Sequence, residues 1–202
     1  RFHFDIVGAF TIGDGLADPM HGYNVPSEYA CGWPKAAAAP YTGDYTLALG
    51  GVLPDGLFMD RCSETVRLHD FAGKYLVVDV SAVNCPPCQS MAEQEPAFVE
   101  KMELDGIEVE MVTLMAPSLS AVLDPTPTEI LEEWTTDFGL KGPVLGDRGY
   151  GYWVGGAALG DDFAYPAWVL VAPDLTVFEL GKGFGSFDGI EASIKGLKDL
   201  QN

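Results

Sequence analysis

The sequence has no long hydrophobic run and few basic residues. No apolar stretch approaches the roughly 20 residues that a helix needs to span a bilayer, so we expect no membrane-spanning segment. Lysine and arginine together number 11 against 30 acidic residues, which gives a formal net charge of −19. Without a basic stripe or tail, we expect no binding to nucleic acid or to an anionic membrane surface. We expect the negative charge of this acidic protein to keep its surface well solvated. The alternative explanation of the charge is that it attracts a basic partner.

Histidine is also scarce, and this bears on metal binding. The three histidines, His3, His21 and His69, show no ligand spacing. A structural zinc site normally needs four ligands. We therefore expect no metal site.

Cysteine is limited to four positions, Cys31, Cys62, Cys85 and Cys88. If the last two work as a pair, Cys31 and Cys62 remain as one structural bridge or as two unrelated buried thiols. In the chain-entropy model such a bridge contributes roughly 3–4 kcal/mol. An even count with a leftover pair favours an oxidising compartment. The first residues lack a signal-peptide pattern, so we expect a processed product, a trimmed fragment or a cytosolic protein.

The four residues Cys-Pro-Pro-Cys, from Cys85 to Cys88, follow the most strand-like run of the chain, residues 74–84. A helix-forming segment comes next. A thiol at the start of a helix meets unpaired N–H groups and the positive end of the helix dipole, which favour the thiolate. The thiolate is the nucleophile of disulfide exchange. The motif therefore predicts a redox pair; a structural disulfide and half of a zinc site are the alternatives.

The rest of the chain predicts an α/β domain over residues 44–202, preceded by an irregular Gly- and Pro-rich extension over residues 1–43. The expected strands are 45–49, 56–59, 65–68, 75–83, 107–115, 144–145, 166–172 and 176–180. Helices are expected after Cys85, from a capping box at Thr126–Glu129 to Gly139, and from Ser186. A Gly-rich helical or turn region is expected to reach Gly160.

This order of elements resembles the thioredoxin-like superfamily, and the extracytoplasmic redoxins within it. The resemblance covers about residues 45–200 and includes a Pro-Asp turn at 53–56 and Gly73-Lys74 before the central strand. It implies a thioredoxin-like fold, with a central mixed sheet flanked by helices. It also implies thiol–disulfide oxidoreductase activity and a periplasmic or other extracytoplasmic location in the bacterial cell envelope, with the signal or anchor segment absent from this chain.

The resemblance assigns roles to four residues. Cys85 matches an exposed nucleophilic thiol, and Cys88 matches the shielded thiol that resolves the mixed disulfide. Pro166 matches a cis-proline that lies beside the disulfide and helps to hold an extended substrate backbone. Asp79 matches a buried carboxylate, and we expect it to accept the Cys88 proton; a residue facing solvent at the end of the sheet is the alternative.

Other positions depart from the family pattern. Asn84 replaces the tryptophan that usually precedes the first cysteine, and Tyr165 is larger than the usual residue before the proline. With Pro166, the positions expected to contact substrate are Tyr165, Asn84, Pro86 and Pro87. Because neither Pro86 nor Pro87 has an N–H, a Cys85 thiolate receives local hydrogen bonds only from Cys88. We therefore expect a reductase or isomerase rather than a strong oxidase.

The expected function is exchange of disulfides with protein substrates, with a partner redox protein as electron donor or acceptor. This chemistry needs no organic cofactor, because the Cys85–Cys88 pair carries the electrons. The alternative is a binding protein of the same fold whose extension, residues 1–43, occupies the substrate groove. The aromatic, Gly- and Pro-rich composition of the extension is the feature that supports this alternative.

Overall fold

A seven-stranded mixed sheet forms the centre of the protein. The computed structural model describes residues 28–35, 41–43, 46–149 and 164–201. Its strands are β1 Leu57–Met59, β2 Thr65–Arg67, β3 Tyr75–Ala82, β4 Val109–Ala116, β5 Val144–Gly146, β6 Ala167–Val171 and β7 Val177–Lys182. They lie in the order β2-β1-β5-β4-β3-β6-β7.

Strand β3 holds the central place that its apolar run predicts. All eight of its residues are buried. It pairs in parallel with β4 along its whole length and antiparallel with β6 from residue 76 to residue 80, so it has a neighbouring strand on each side. The expected hairpin of β6 and β7 is also present. The predicted α/β fold with a mixed sheet is confirmed.

Three α-helices lie within the described ranges: α1 Pro86–Leu104, α2 Thr128–Phe138 and α3 Asp188–Gln201. A short 3₁₀ helix covers Leu68–Phe71. Helix α2 ends as predicted at Gly139, which takes the left-handed conformation with φ 64°. Helix α3 begins two residues after Ser186, whose hydroxyl oxygen accepts the N–H of Asp188 at 3.4 Å.

The predicted capping box of α2 is wrong. Pro127 is the N-cap residue and makes no side-chain hydrogen bond to the helix. The Thr126 hydroxyl instead donates to the carbonyl of Met115 at 2.5 Å. That carbonyl, at the buried end of β4, also accepts the N–H of Asp147. The Thr126 hydroxyl, which the capping-box motif assigns to the helix, therefore bonds the sheet instead.

The strand predicted at 45–49 is also wrong within the described residues 46–49. Gly51 N–H donates to the carbonyl of Ala48, and Gly50 has a φ of 75°, so the chain turns here. Val52 then forms an isolated bridge with Thr176 beside β7. Tyr45, the boundary at 43/44 and the Gly-rich region at 150–160 lie outside the described residues.

The two faces of the sheet are covered differently. One face packs Tyr75 and Val77 against α1 and α3. The other face packs the intervening residues Leu76 and Val78 against a cluster that includes Trp33 of the extension. Successive side chains of a strand point to opposite faces, which explains how one short apolar strand serves both cores.

The described part of the extension, residues 28–35 and 41–43, is held by several contacts. A disulfide joins Cys31 to Cys62. The Trp33 indole N–H donates to Asp60 at 3.1 Å, and the Tyr29 hydroxyl donates to Asp70 at 2.6 Å. These contacts attach the segment to the region of β1, β2 and the 3₁₀ helix.

Replacing both cysteines of this bridge, Cys31→Ser with Cys62→Ser, is expected to lower the free energy of unfolding by about 3 kcal/mol. The reason is that the unfolded chain loses a cross-link between residues 31 positions apart. Denaturant unfolding without a reductant measures the change, since the Cys85–Cys88 bond then stays closed in both proteins. An unchanged free energy of unfolding would contradict a stabilising role for the bridge.

Candidate active site

Cys85 and Cys88 lie where β3 passes into α1. A disulfide joins them, with their Cα atoms 5.2 Å apart. Cys85 is the N-cap of α1 and has an extended backbone, and its Sγ accepts the N–H of Cys88 at 3.3 Å. Pro86 and Pro87 fill the first two helical positions, where a missing N–H removes no helical hydrogen bond. The motif therefore starts the helix and holds both sulfurs at its amino end.

The cysteines are more deeply buried than the resemblance implies. Cys85 is 2% exposed and Cys88 is completely buried. Both belong to an apolar cluster: Ala82, Ala92, Met115, Ala116, Leu131, Trp134, Leu140 and Val144. The expectation of an exposed Cys85 thiol is therefore wrong for this disulfide form, because the sulfur lies among these side chains. Asn84, Pro86 and Pro87 are exposed beside it.

Pro166 lies at the same edge of the sheet. The Tyr165–Pro166 peptide bond is cis. The next residue, Ala167, pairs with Val80 near the end of β3. The Pro166 carbonyl accepts the N–H of Gly183, just beyond β7, at 2.7 Å. Tyr165 is half-buried and packs against the cluster around the cysteines, so packing is at least part of its role.

Asn84 has a structural contact that its sequence position did not reveal. Its side-chain carbonyl accepts the N–H of Leu119 at 2.8 Å. This bond holds the β4–α2 loop beside the motif. Leu119 and Leu123 in that loop are 45% and 53% exposed, which places apolar surface in the loop next to Asn84. The loop lacks hydrophobic periodicity, so sequence reasoning did not assign it to the site.

Asp79 is buried in the middle of β3 and is 4% exposed. Ser81 donates a hydrogen bond to its Oδ2 at 2.6 Å, while its Oδ1 has no hydrogen-bond partner among the described residues. Trp168 lies directly opposite on β6 and Thr113 on β4. Burial raises the pKa of Asp79 to about 7, and the Ser81 bond opposes this shift. The solvent-facing alternative does not describe this residue.

A second buried carboxyl, Glu95, was missed. It lies on α1 seven residues after Cys88 and is 4% exposed. Burial, together with the charges of Asp79 and Glu110, raises its pKa to about 8. Its spacing from Met91 and Phe98, four residues and three residues, places it on the buried helical face. This helical spacing is the sequence feature that could have identified Glu95 as buried.

One cluster of ligand-type side chains lies away from this site. Atoms of Cys31, Asp60 and Cys62 lie within 4.8 Å of one another. The two sulfurs are bonded to each other. The Asp60 carboxylate already accepts three hydrogen bonds, from Trp33 and from the N–H groups of Cys62 and Glu64. These atoms serve the bridge and its loop, and we assign them no metal.

Comparison with known proteins finds relatives by structure. No family model and no curated protein matched the sequence. A Chlorobium tepidum protein provisionally assigned as thiol:disulfide interchange protein DsbE has 17% identity and a TM-score of 0.59, over 75% of this chain and 98% of its own. The thioredoxin domain of a Bacteroides vulgatus thiol-disulfide oxidoreductase has 16% identity and a TM-score of 0.56, over 75% and 99%.

A third structure, the exposed lipoprotein thioredoxin Etrx1 of Streptococcus pneumoniae, has 22% identity and a TM-score of 0.51, over 71% of this chain and 99% of its own. This chain has the thioredoxin-like fold. The matches cover nearly all of those chains and about three quarters of this one. Within the described ranges, no helix is long and apolar enough to cross a membrane.

Replacing the buried carboxylate, Asp79→Asn, is expected to stabilise the protein above pH 7 and to leave its stability nearly unchanged at pH 4. The folded pKa of about 7 lies above the ordinary aspartate pKa of 3.8. The folded state therefore binds more protons in this window, and stability falls as the pH rises through it. The variant cannot ionise at this position and keeps that stability. From the pKa difference, its free energy of unfolding at pH 8 is expected to exceed that of the wild type by up to about 4 kcal/mol.

Denaturant unfolding at several pH values between 4 and 8.5 measures this difference. The matched control is Asp124→Asn, which changes an exposed carboxylate and should leave the pH dependence as it is. Parallel wild-type and Asp79→Asn curves would show that Asp79 is ionised in the folded protein at little cost.

Proposed function

We propose that this protein is a thiol–disulfide oxidoreductase that exchanges disulfides with protein substrates through Cys85 and Cys88. The observation that supports this most is the position of the disulfide at the amino end of α1, with Pro166 at the same edge of the sheet. The thioredoxin-like fold of structures named as thiol–disulfide oxidoreductases is consistent with it.

The proposed exchange has two steps that balance atom for atom. The Cys85 thiolate attacks one sulfur of a substrate disulfide, forms a mixed disulfide and releases the other substrate sulfur as a thiolate. Cys88 then gives up its proton and attacks Cys85 Sγ, which re-forms the Cys85–Cys88 bond and releases the second substrate sulfur. Asp79 is the proposed acceptor of the Cys88 proton. No cofactor enters either step; a partner redox protein restores the dithiol.

The substrate is proposed to contact the exposed surface beside the cysteines. Asn84, Pro86 and Pro87 are exposed there, and Pro166 with Tyr165 borders the same edge of the sheet. In this proposal Asn84 contributes to substrate binding by holding the β4–α2 loop beside the cysteines. Because Cys85 is 2% exposed, a substrate sulfur reaches it only when the neighbouring side chains move apart.

The direction of exchange is proposed to follow from the two prolines. The side chain of an N-cap residue accepts from the N–H at the second or third helical position. In this protein the second position is Pro87, so only the third, Cys88, donates to Cys85. With one donor the thiolate of the reduced form is stabilised less, which favours a reductase or isomerase over a strong oxidase.

An extracytoplasmic location is proposed on two grounds. The Cys31–Cys62 bridge, which we propose to be structural, fits an oxidising compartment. A structural relative is an exposed lipoprotein thioredoxin.

A second candidate is a binding protein of the same fold, and the burial of Cys85 is the observation that favours it. In that case the extension would occupy the groove. Its residues 28–35 contact Asp60, Cys62 and Asp70 rather than the motif. Residues 1–27 lie outside the described ranges.

Turnover of a protein disulfide decides between these candidates. We expect the protein to accelerate the reduction of insulin by dithiothreitol. Cys85→Ser should abolish the acceleration because it removes the attacking sulfur. Cys88→Ser should instead accumulate the mixed disulfide, which non-reducing mass spectrometry detects, because the resolving thiol is absent.

The matched control is the double variant Cys31→Ser with Cys62→Ser, which should keep its turnover. The binding candidate would be favoured by a rate equal to the dithiothreitol background together with a Cys85–Cys88 bond that dithiothreitol does not open.

The reduction potential of the pair tests the proposed direction. We expect a value below about −200 mV, on the reducing side of the protein disulfide isomerase range. Pro87→Ala restores an N–H at the second helical position and should raise the potential by about 20–40 mV by stabilising the thiolate. Pro86→Ala is the matched control, because an N–H at the first helical position is not one that the N-cap side chain uses. A wild-type potential of about −120 mV would contradict the reductase proposal.

A further inference from the structure

Glu95 takes no part in the exchange steps, yet it is buried on the same helix as Cys88. The residues Cys88, Met91, Glu95, Phe98 and Met102 recur every three or four positions along α1, and all are buried. This face packs against the sheet through the cluster that contains Val77, Met91 and Phe98. Two helical turns, roughly 10 Å, separate Glu95 from Cys88 along the axis.

Asp79 lies on the sheet face that α1 covers. Its strand neighbours at alternate positions, Tyr75 and Val77, belong to the cluster formed with α1 and α3. After burial, the charge of Asp79 is the first cause that raises the pKa of Glu95. The helix and the central strand therefore place two buried carboxyl groups at one apolar interface, on the same helical face as Cys88.

The charged surroundings of this pair are acidic. Glu95 is acted on by Asp79 from β3 and by Glu110 from β4, both negative when ionised. Glu110 is itself paired with Lys74 at 2.6 Å. From β6 the neighbour of Asp79 is Trp168, and α3 contributes apolar side chains, Phe187, Ile190 and Ile194. Two carboxylates in such a place repel each other, so ionisation of one opposes ionisation of the other.

We propose that Asp79 and Glu95 form a coupled pair of buried carboxyl groups that together hold one proton at neutral pH, and that this pair takes up the Cys88 proton during exchange. Glu95 acts through Asp79 and is a positioning residue. When Cys88 attacks Cys85 Sγ, its proton passes to the singly charged pair, which becomes neutral. The released substrate thiolate then recovers a proton by way of water, and the pair returns to one charge.

This inference deepens the proposed function and rests on it, but its first test does not depend on turnover. ¹³C NMR of the side-chain carboxyl carbons follows both groups through a titration of the intact protein. We expect both to report two steps, near pH 7 and pH 8, because coupled groups titrate together. In Glu95→Gln, Asp79 should titrate in a single step. In Asp79→Asn, Glu95 should titrate in a single step at lower pH, because a negative neighbour has gone.

Glu93→Gln is the matched control, because Glu93 lies two residues away on the same helix and is exposed. It should leave both steps in place. A single-step titration of Asp79 in the wild type that Glu95→Gln leaves unchanged would overturn the pair. If Glu95→Gln does not fold, the reciprocal measurement on Glu95 in Asp79→Asn decides, since an unmoved Glu95 midpoint also overturns it.

The second readout is the pH profile for release of the mixed disulfide in single-turnover experiments. The wild type should show an inflection near pH 8 that is absent from Glu95→Gln and present in Glu93→Gln. A merely structural role for Glu95 would lower the rate equally at all pH values. Insulin turnover without this inflection would contradict the pair while leaving the proposed oxidoreductase function intact. A two-step titration of both carboxyls together with no insulin turnover would support the pair and contradict the proposed oxidoreductase function.

Discussion

The burial of a carboxylate in the middle of β3 is the constraint on which the rest of this structure depends. A strand with all eight residues buried normally carries only apolar side chains. Asp79 interrupts it and receives one side-chain hydrogen bond, from Ser81. An ionised carboxylate in such a place is costly, so burial raises the pKa of Asp79 to about 7. The sheet is thereby less stable than an apolar strand would make it, and it gains a group that exchanges protons near neutral pH.

The same strand determines where the reactive groups lie. Its carboxyl end leads directly into Cys85, and its antiparallel partner β6 begins directly after Pro166. The cysteines, the cis-proline and the buried carboxylate are therefore positioned by the pairing of two neighbouring strands, β3 and β6. The β4–α2 loop joins them through the bond between Asn84 and Leu119. The surface around the disulfide is thus formed by the β4–α2 loop and the residues beside the cysteines, whereas the strands beneath fix the positions of the reactive groups.

Sequence reasoning succeeded where one strong local pattern decided the outcome. The apolar run of β3, the turn between β6 and β7 and Gly139 at the end of α2 each specify their structure locally. It failed where a tertiary contact competed with a local one. The Thr126 hydroxyl bonds the Met115 carbonyl rather than capping α2, and the residues after Tyr45 turn to meet β7. The burial of Cys85 and of Glu95 depends on which helices and loops pack together, and no local pattern contains that information.

Glu95 shows how much a second carboxyl changes the chemistry that a single one offers. A lone buried Asp79 would be either a neutral acid or an isolated charge, and its proton affinity would depend mainly on burial. When Glu95 is coupled to Asp79, the negative charge can lie on either carboxyl. The proton affinity of Asp79 then depends also on repulsion between the two groups. The pair therefore offers a base over a wider pH range than either residue alone. A helical face that reads as apolar by its spacing conceals this property, because one glutamate among methionines and a phenylalanine barely alters the pattern.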